Sequence, residues 1–561
     1  AVALCCVVAV GAAPLHQQAS KPHIIFIVSD DLGFDDVGFR SHQINTPNID
    51  KIASEGVVLD QYYVQSVCSP TRTTFLTGRY PIHTGINTWI PPADSYGLPL
   101  NETTMAQRLN DAGYISHAVG KWHAGFYEWG HTPTFRGFNS FYGFYSGGED
   151  YFTHMTSGAY DFRRDKAPRC GDNCSVIDSD ASGGYSSELF GIEAAKVIAN
   201  HDPTSPLFLY LAFQGVHSPA EVPSKYVEPY AKTIHDAQRR TFAGMLSSVD
   251  EGVGNVTEAL RAKGMLDNSI IVFTADNGGP TTTGDGVGAR NWPLRGGKHS
   301  LWEGGTRVLG VATGPGLRQG GAKYTNLMHG ADWLPTIAHA AAVSPEGKLP
   351  LDGVDHWPAL TANAPPPRDH IFYGIGGLPG TTGGSAIRVG KYKLVKGGGG
   401  YPDTWNHPSN YTASAAKCAE TNAVCYPGHD LEHSAATSTD ACCALCDQRN
   451  DCKGWTLNLK TSTCFVKSEL DESKVIQDVG CVSGSRGATP PPQPETLLFD
   501  LEADPEERND LAKDLPDVVQ QLQQRLNAVM DTANPTAKDD PRCPAWPKRS
   551  AWGPWCAADQ L

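Results

Sequence analysis

The sequence predicts an α/β protein: a large mixed, mostly parallel sheet flanked by helices, a smaller α+β domain near the C-terminal end, and a disulfide-rich insert. Three observations lead there. His23 to Val28, Leu207 to Phe213 and Ser269 to Thr274 are continuous apolar runs of strand length, the pattern of strands buried on both faces of a parallel sheet. Amphipathic helical stretches separate these runs, as parallel crossovers require. After Ser385, strand-like segments are interrupted by a stretch dense in cysteine.

A chain of 561 residues, 40% apolar and 19% charged, exceeds one ordinary domain and has ample material for a core. The net charge of −15 argues against nucleic acid as a partner, and any anionic substrate must be drawn by a local basic cluster. Residues 1–19 are apolar with small residues near their end and read as a secretory signal lacking its Met and basic start. No later run is long enough to span a membrane. Of the 15 cysteines, Cys5 and Cys6 fall in that signal and Cys68 stands apart; the rest are even in number, as a disulfide-bonded secreted protein needs. Sequons at Asn101, Asn173, Asn255 and Asn410 fit the same compartment.

In chain order, the first apolar run ends in Ser29-Asp30-Asp31, with Gly33 following. Open α/β sheets bind ligands at such strand ends, which favours a metal site over a polar turn. Thr46-Pro47 caps and opens a helix with Ile49, Ile52 and Ala53 inward, ended by Gly56. Then comes Val67-Cys68-Ser69-Pro70-Thr71-Arg72, continuing to Gly78-Arg79. Pro70 suits a first helical turn and Gly78 a helix end. Cys68 therefore sits at or just before a helix N-terminus, where the dipole favours an anion. Arg72 follows one turn later. Such a cysteine has a lowered pKa and is a candidate nucleophile; the alternative is a buried structural cysteine beside an ordinary cap.

A helix over Thr103 to Asp111 stops at Gly113, and Lys121 and His123 share one face of the extended segment that follows. They are either surface decoration or two donors to an anion. Helices are expected over Ser187 to Ala199 and His235 to Ala262. His217 lies past the end of the second apolar run, as a site residue or a structural one. The third run ends in Asp276-Asn277-Gly278-Gly279 and repeats the pattern of Asp30-Asp31. Three Asp and one Asn are hard oxygen donors, suited to Ca²⁺ or Mg²⁺ rather than zinc. The glycine-rich stretch Asn291 to Gly305 offers Arg295 and Lys298 to an anion.

Ser385 to Lys396 reads as a strand with Thr496 to Leu501 as its partner, Asp504 to Glu507 as a turn, and Asp517 to Met530 as an amphipathic helix through Val518, Leu522 and Leu526. Between the strands lie Cys418, Cys425, Cys442, Cys443, Cys446, Cys452, Cys464 and Cys481. That density implies a small disulfide-stapled module. Zinc is the competing reading, disfavoured by secretion and by the lack of paired Cys-x-x-Cys knuckles.

The Cys68-x-Pro70-x-Arg72 segment with Leu76-Thr77-Gly78-Arg79 resembles the signature of the sulfatase family. Ser29 to Gly33, Val119 to His123, Val216 to Pro219, Asp276 to Gly279, Asn291 to Gly305, Asp540 to Cys543 and Trp552 to Trp555 match in the same order, most like the arylsulfatase B branch. The resemblance implies an alkaline-phosphatase-like fold with a catalytic domain over 20–375 and a C-terminal subdomain over 376–400 and 490–561. The insert, 415–485, resembles a PAN/apple module, a type that binds proteins or carbohydrate. Three departures stand out. Thr71 replaces the family's usual Ser, Asn87 to Leu100 lacks expected cysteines and leaves the partner of Cys543 open, and the insert is not part of the branch.

The resemblance further implies that a formylglycine-generating enzyme oxidises Cys68 to Cα-formylglycine during secretion. Asp30, Asp31, Asp276 and Asn277, with the modified residue 68, then hold one Ca²⁺. Arg72, Lys121 and His123 orient the hydrated aldehyde, and His217 and Lys298 lie near the leaving oxygen. Expected substrates are aryl sulfates and sulfated glycans of the N-acetylgalactosamine 4-sulfate type, in a lysosomal or extracellular setting. The residues alone support a metal-assisted hydrolase of an anionic ester. Two rivals are a phosphatase or phosphodiesterase of the same architecture and a non-catalytic glycan- or protein-binding glycoprotein.

Overall fold

The computed structural model describes residues 21–281, 288–374, 384–400, 405, 418–425, 430–435, 452–458, 463–469, 476–486, 495–547 and 549–556. Its strands begin with β1 (His23–Ser29), β2 (Val57–Tyr63), β3 (Ile115–Lys121), β4 (Ser140–Phe144), β5 (Met155–Thr156) and β6 (Ala159–Tyr160). They continue with β7 (Arg163–Asp165), β8 (Ser175–Ile177), β9 (Leu207–Ala212), β10 (Ser269–Ala275), β11 (Gly310–Thr313) and β12 (Ala322–His329). β5 and β6 form a separate hairpin; the others make a ten-stranded sheet in the order β12-β2-β11-β10-β1-β9-β3-β4-β7-β8.

β1 lies at the centre, parallel to β10 on one side and to β9 on the other. β3 and β4 extend the parallel run beyond β9. β11 is antiparallel to β10 and β2, and β7 and β8 are antiparallel at the far edge. Every residue of β1, β9 and β10 is buried, which is why these strands show as unbroken apolar runs. Because β1, β3, β9 and β10 point the same way, their C-terminal ends open onto one edge, the ligand edge of such sheets.

The helices fall close to the expected positions, at Ser186–Asn200 and Ala237–Ala262, packed against each other. Thr104 caps the helix Met105–Asp111 in a capping box with Gln107. The helix Pro47–Glu55 buries Ile49, Ile52 and Ala53 as expected, but Thr46 does not cap it. The Thr46 hydroxyl accepts from Gly38 N–H at 2.8 Å and donates to Asp50 at 2.8 Å. The free N–H groups of Asn48 and Ile49 go to Asp250 on the long helix, at 3.1 and 2.8 Å from Oδ1. A carboxylate from another helix takes the cap's place.

Two antiparallel sheets complete the molecule. The insert holds β16 (Cys418–Cys425), β17 (Asp430–Ala435), β18 (Gly454–Asn458), β19 (Thr463–Lys467) and β20 (Ile476–Arg486), preceded in the chain by β13 (His370–Tyr373), β14 (Ser385–Val389) and β15 (Tyr392–Lys396). The insert's five strands run in the order β16-β20-β18-β19-β17 around buried Trp455, Leu457, Cys464 and Val466. Cys452 and Cys464 are each part of a disulfide. β13, β14, β15 and β21 (Thr496–Asp500) form the C-terminal sheet. Ser385 to Lys396 is thus a hairpin and not the single strand expected, because the chain reverses at Gly390, φ 53°. The helix Pro516–Met530 packs Leu522 and Leu526 on this sheet.

Cys170 pairs with Cys174, and Cys543 with Cys556, which supplies the partner left open for Cys543. The Cys543–Cys556 loop returns Trp546, Trp552 and Trp555 to the main core, where Trp552 and Trp555 meet Phe126. No described helix is long and apolar enough to cross a membrane. Residues 1–19, Asn410, Cys442, Cys443 and Cys446 lie outside the described residues.

A buried charge cluster joins the C-terminal sheet to the main body. Lys393 Nζ lies 3.0 Å from Glu303 Oε1 and 2.7 Å from Glu507 Oε1. Tyr63 donates to Glu303 at 2.6 Å, and Glu303 N–H to Glu507 at 2.7 Å. Burial pushes the Glu507 carboxyl up from 4.5 to about 7, against the pull of Lys393. A folded-state pKa above the unfolded one means that the folded protein binds more protons between pH 4.5 and about 7, so this group's contribution to stability falls as pH rises through that window. Thermal melts at pH 5 and pH 7 should therefore show a larger loss of Tm in the parent protein than in Glu507→Gln. Equal losses in the two would remove Glu507 from the account.

Candidate active site

The register of the central strands brings the acids together. Ser29 pairs with Ala275, so Asp30 and Asp276 leave adjacent strands side by side. Successive strand residues point to opposite faces, yet Asp30 and Asp31 converge. Asp31 has left-handed backbone, φ 57°, which breaks the alternation. Carboxylate oxygens of both and a ring nitrogen of His217 lie within 4.8 Å of one another. Asp31 N–H donates to Asp276 Oδ1 at 3.3 Å. A Cβ on Gly278 would sit 1.8 Å from the carbonyl oxygen of Gly304, so only glycine lets the 291–305 loop close over this point.

Cys68 is the first residue of a helix, Cys68–Thr77, every residue of which is buried. Gly78 ends it with φ 67° and an N–H donated to Thr74 O, as Pro70 and Gly78 led one to expect. Arg72, one turn in, donates from Nε to Asp276 Oδ2 at 2.9 Å and from Nη1 to Lys121 O at 3.2 Å. Its Nη2 lies 2.8 Å from Asp276 Oδ2 and 3.5 Å from Asp30 Oδ2. Lys121 Nζ donates to Asp30 Oδ2 at 2.6 Å and Lys298 Nζ to Asp31 Oδ2 at 2.9 Å. His217 Nε2 is 3.9 Å from Asp31 Oδ2, and Asn277 Nδ2 donates to Asp31 Oδ1 at 2.6 Å. Except for Arg295, the candidate residues meet at this edge of the sheet.

Three expectations change. The Lys-x-His segment is not extended throughout: β3 ends at Lys121 and His123 is left-handed, φ 53°. His123 reaches the site through that turn, donating from Nε2 to Ile90 O at 3.1 Å. Its burial, with Lys121 and Arg72 nearby, holds the ring well below the usual histidine range, so it is neutral. The Cys68 thiol is pushed up, not down, because burial outweighs Lys121 and Lys298. A protonated thiol is a poor nucleophile. Arg295 is a third correction: it donates to Glu507 O at 3.0 Å and stacks 3.6 Å over Trp302, holding structure rather than an anion.

Asp30 Oδ1, Asn277 Oδ1 and His123 Nδ1 are buried with no hydrogen-bond partner. Buried polar atoms are rarely left so. Burial, and after it Asp30, also push the Asp276 carboxyl up despite Arg72. Unpartnered oxygens and crowded carboxylates fit a hard cation. Cys68, His123, His217 and Lys298 line a cavity of about 660 Å³. Sequence reasoning missed Gly147 and Gly148 at its wall. A Cβ there would come 2.6 Å from the His123 ring and 3.1 Å from the His217 ring; a glycine pair just past a strand was the available signal. It also missed Trp89, Glu149 and His299, which sit in aperiodic loops, and Met155, on a two-residue strand too short to show a period.

The sulfatase family profile matches residues 22–343. The chain is 36% identical over 558 residues to arylsulfatase J of Mus musculus, covering 96% of this chain and 80% of that protein. It is 32% identical over 423 residues to arylsulfatase A of Homo sapiens, covering 72% and 80%. The crystal structure of Ps i-CgsB in complex with k-i-k-neocarrahexaose superposes with a TM-score of 0.67 at 26% identity, covering 92% of this chain and 94% of that one. The likeness is to arylsulfatases, not to arylsulfatase B specifically. These matches run through the strands and the helix that build the cavity, and the chain therefore belongs to the sulfatase family of sulfate ester hydrolases.

Proposed function

We propose that this protein cleaves sulfated glycans and aryl sulfates with a formylglycine made from Cys68 and one Ca²⁺ held by Asp30, Asp31, Asp276, Asn277 and residue 68. The observation that carries the reading is the setting of Cys68. It is a buried helix-start residue on the cavity, its thiol raised, beside a charge cluster with two unpartnered oxygens. Once hydrated, the oxidised residue supplies a hydroxyl nucleophile. The cation supplies fixed positive charge to the sulfate oxygens.

The chain's own residues do the rest. Arg72 cannot lose its proton and keeps Asp276 and Asp30 in place. Lys121 fixes Asp30, and Lys298 fixes Asp31. Neutral His123 donates a hydrogen bond from its Nε2–H to Ile90 O, which leaves Nδ1 to accept a proton from residue 68. His217 and Lys298 line the cavity and either can protonate the leaving oxygen.

The carbohydrate-bound relative of known structure supports a glycan substrate; N-acetylgalactosamine 4-sulfate is the form we assign. The reading places the protein in the secretory pathway, lysosomal or extracellular, where the formylglycine-generating enzyme acts on Cys68. The 415–485 module is assigned as PAN/apple-like, with a glycan or protein ligand. The catalytic and C-terminal units are assigned to 20–375 and to 376–400 with 490–561.

Paired assays of an aryl sulfate and the matching aryl phosphate test the reaction class: kcat/KM should favour sulfate. A phosphate preference would support the phosphatase reading, and glycan binding without turnover the non-catalytic one. Arg72→Met should lower kcat on the order of a hundred- to a thousandfold. It should also cost about 3–5 kcal/mol of stability, because Asp30 and Asp276 lose a buried partner. Unchanged activity and melting would contradict the roles given to Arg72.

A further inference from the structure

The cavity is larger than a sulfate group needs. At about 660 Å³ it is in the range of pockets that enclose a whole small ligand. Cys68, His123, His217 and Lys298 form its reactive end, and the remaining wall mixes apolar side chains with Glu149 and Asp150. Trp89 and Met155 line it while 41% and 39% exposed. They are two of only six large apolar side chains so exposed among the described residues. Large apolar groups left open beside a polar site mark where a ligand sits.

Both are held firmly. Trp89 precedes Ile90, whose N–H is taken by Ser69 Oγ at 3.1 Å and whose carbonyl is taken by His123 at 3.1 Å. The backbone that carries the indole is thus set by the same helix and histidine that build the reactive end. Met155 stands on the β5–β6 hairpin, and its carbonyl accepts from Asp150 N–H at 3.0 Å. The hairpin is clamped by the disulfide-closed tail: Trp552 Nε1 donates to Thr156 O at 2.8 Å, and Tyr160 N–H donates to Ser550 O at 2.9 Å. Neither exposure comes from a loose end.

The same wall carries Thr156, Ser157 and His217. Apolar surface interleaved with hydroxyls, an imidazole and the carboxylates of Glu149 and Asp150 suits a ring with C–H faces and hydroxyl edges better than a flat hydrocarbon. We propose that Trp89 and Met155 are specificity-determining residues that hold the pyranose ring bearing the sulfate ester by its C–H faces. This rests on the glycan reading given above. The chemistry is apolar contact with an electron-rich indole face and a polarizable thioether, and it sets KM rather than the chemical step.

Binding to the inactive Cys68→Ser protein tests this apart from turnover. Calorimetry would measure Kd for a chondroitin 4-sulfate tetrasaccharide and, separately, for inorganic sulfate. Adding Trp89→Ala should weaken the tetrasaccharide about tenfold and leave sulfate within about twofold. Trp89→Phe should restore most of the loss, and Met155→Ala should act in the same direction, less strongly. Melting curves check that each variant is folded. A tetrasaccharide Kd unmoved by Trp89→Ala would overturn the proposal. So would an equal loss for sulfate, which would mean that Trp89 acts through Ile90 and His123. If active protein cleaves aryl sulfates but the Cys68→Ser protein binds no tetrasaccharide, the proposal falls and the sulfatase chemistry stands. If Trp89-dependent binding is found but active protein cleaves nothing, the reverse holds.

Discussion

The buried pairing of Arg72 with Asp276 and Asp30 is the constraint on which the rest of the site depends. Each ion taken out of water costs several kcal/mol before partners repay it. Three carboxylates, Asp30, Asp31 and Asp276, are buried here completely. They are tolerable only because Arg72, Lys121 and Lys298 reach them at 2.6 to 2.9 Å. That arrangement fixes much of the architecture. β1 and β10 must be adjacent and in register, the Cys68 helix must start at the strand ends, and β3 must end with Lys121 beside Asp30. The cationic partners do not cancel the site's appetite for positive charge, since Asp30 Oδ1 and Asn277 Oδ1 remain unpartnered.

The same device recurs at the joint with the C-terminal sheet. Lys393 arrives on β15 and is gripped by Glu303, from the loop over the strand ends, and by Glu507. Glu303 lies in the loop that also carries Lys298, so the C-terminal sheet braces the residue that holds Asp31. The tail makes a second brace. Its disulfide loop pins the hairpin that carries one wall of the cavity. Segments far apart in sequence are thus needed to hold a single concave surface, which explains why the family likeness extends across most of the chain.

What the sequence made legible follows from physical simplicity. β1, β9 and β10 are buried on both faces, so their apolar runs are continuous and their ends are sharp. Asp30, Asp31, Asp276 and Asn277 could be placed because they follow those ends directly. Pro70 and Gly78 bracket the Cys68 helix through local backbone preference alone. Where partners are remote, the signal vanished. Nothing near Thr46 announces that Asp250, some 200 residues away, will satisfy the helix start. The raised Cys68 thiol depends on total burial, which overrides the helix-end effect that local reasoning relied upon. The reversal at Gly390 and the left-handed turn at His123 each rest on one φ angle. The cavity walls come from loops and a hairpin of two-residue strands, too short for periodicity, so Trp89 and Met155 carried no pattern to read.

The proposed reaction requires residue 68 to act as an oxidised side chain and not as a thiol. Mass spectrometry of the peptide containing position 68, from protein secreted by a eukaryotic host, tests it most directly. The expected result is the mass of Cα-formylglycine at that position, with Thr71 tolerated in the signal. Unmodified cysteine, in a host that converts other sulfatases, would contradict it and shift weight to a binding protein built on this fold.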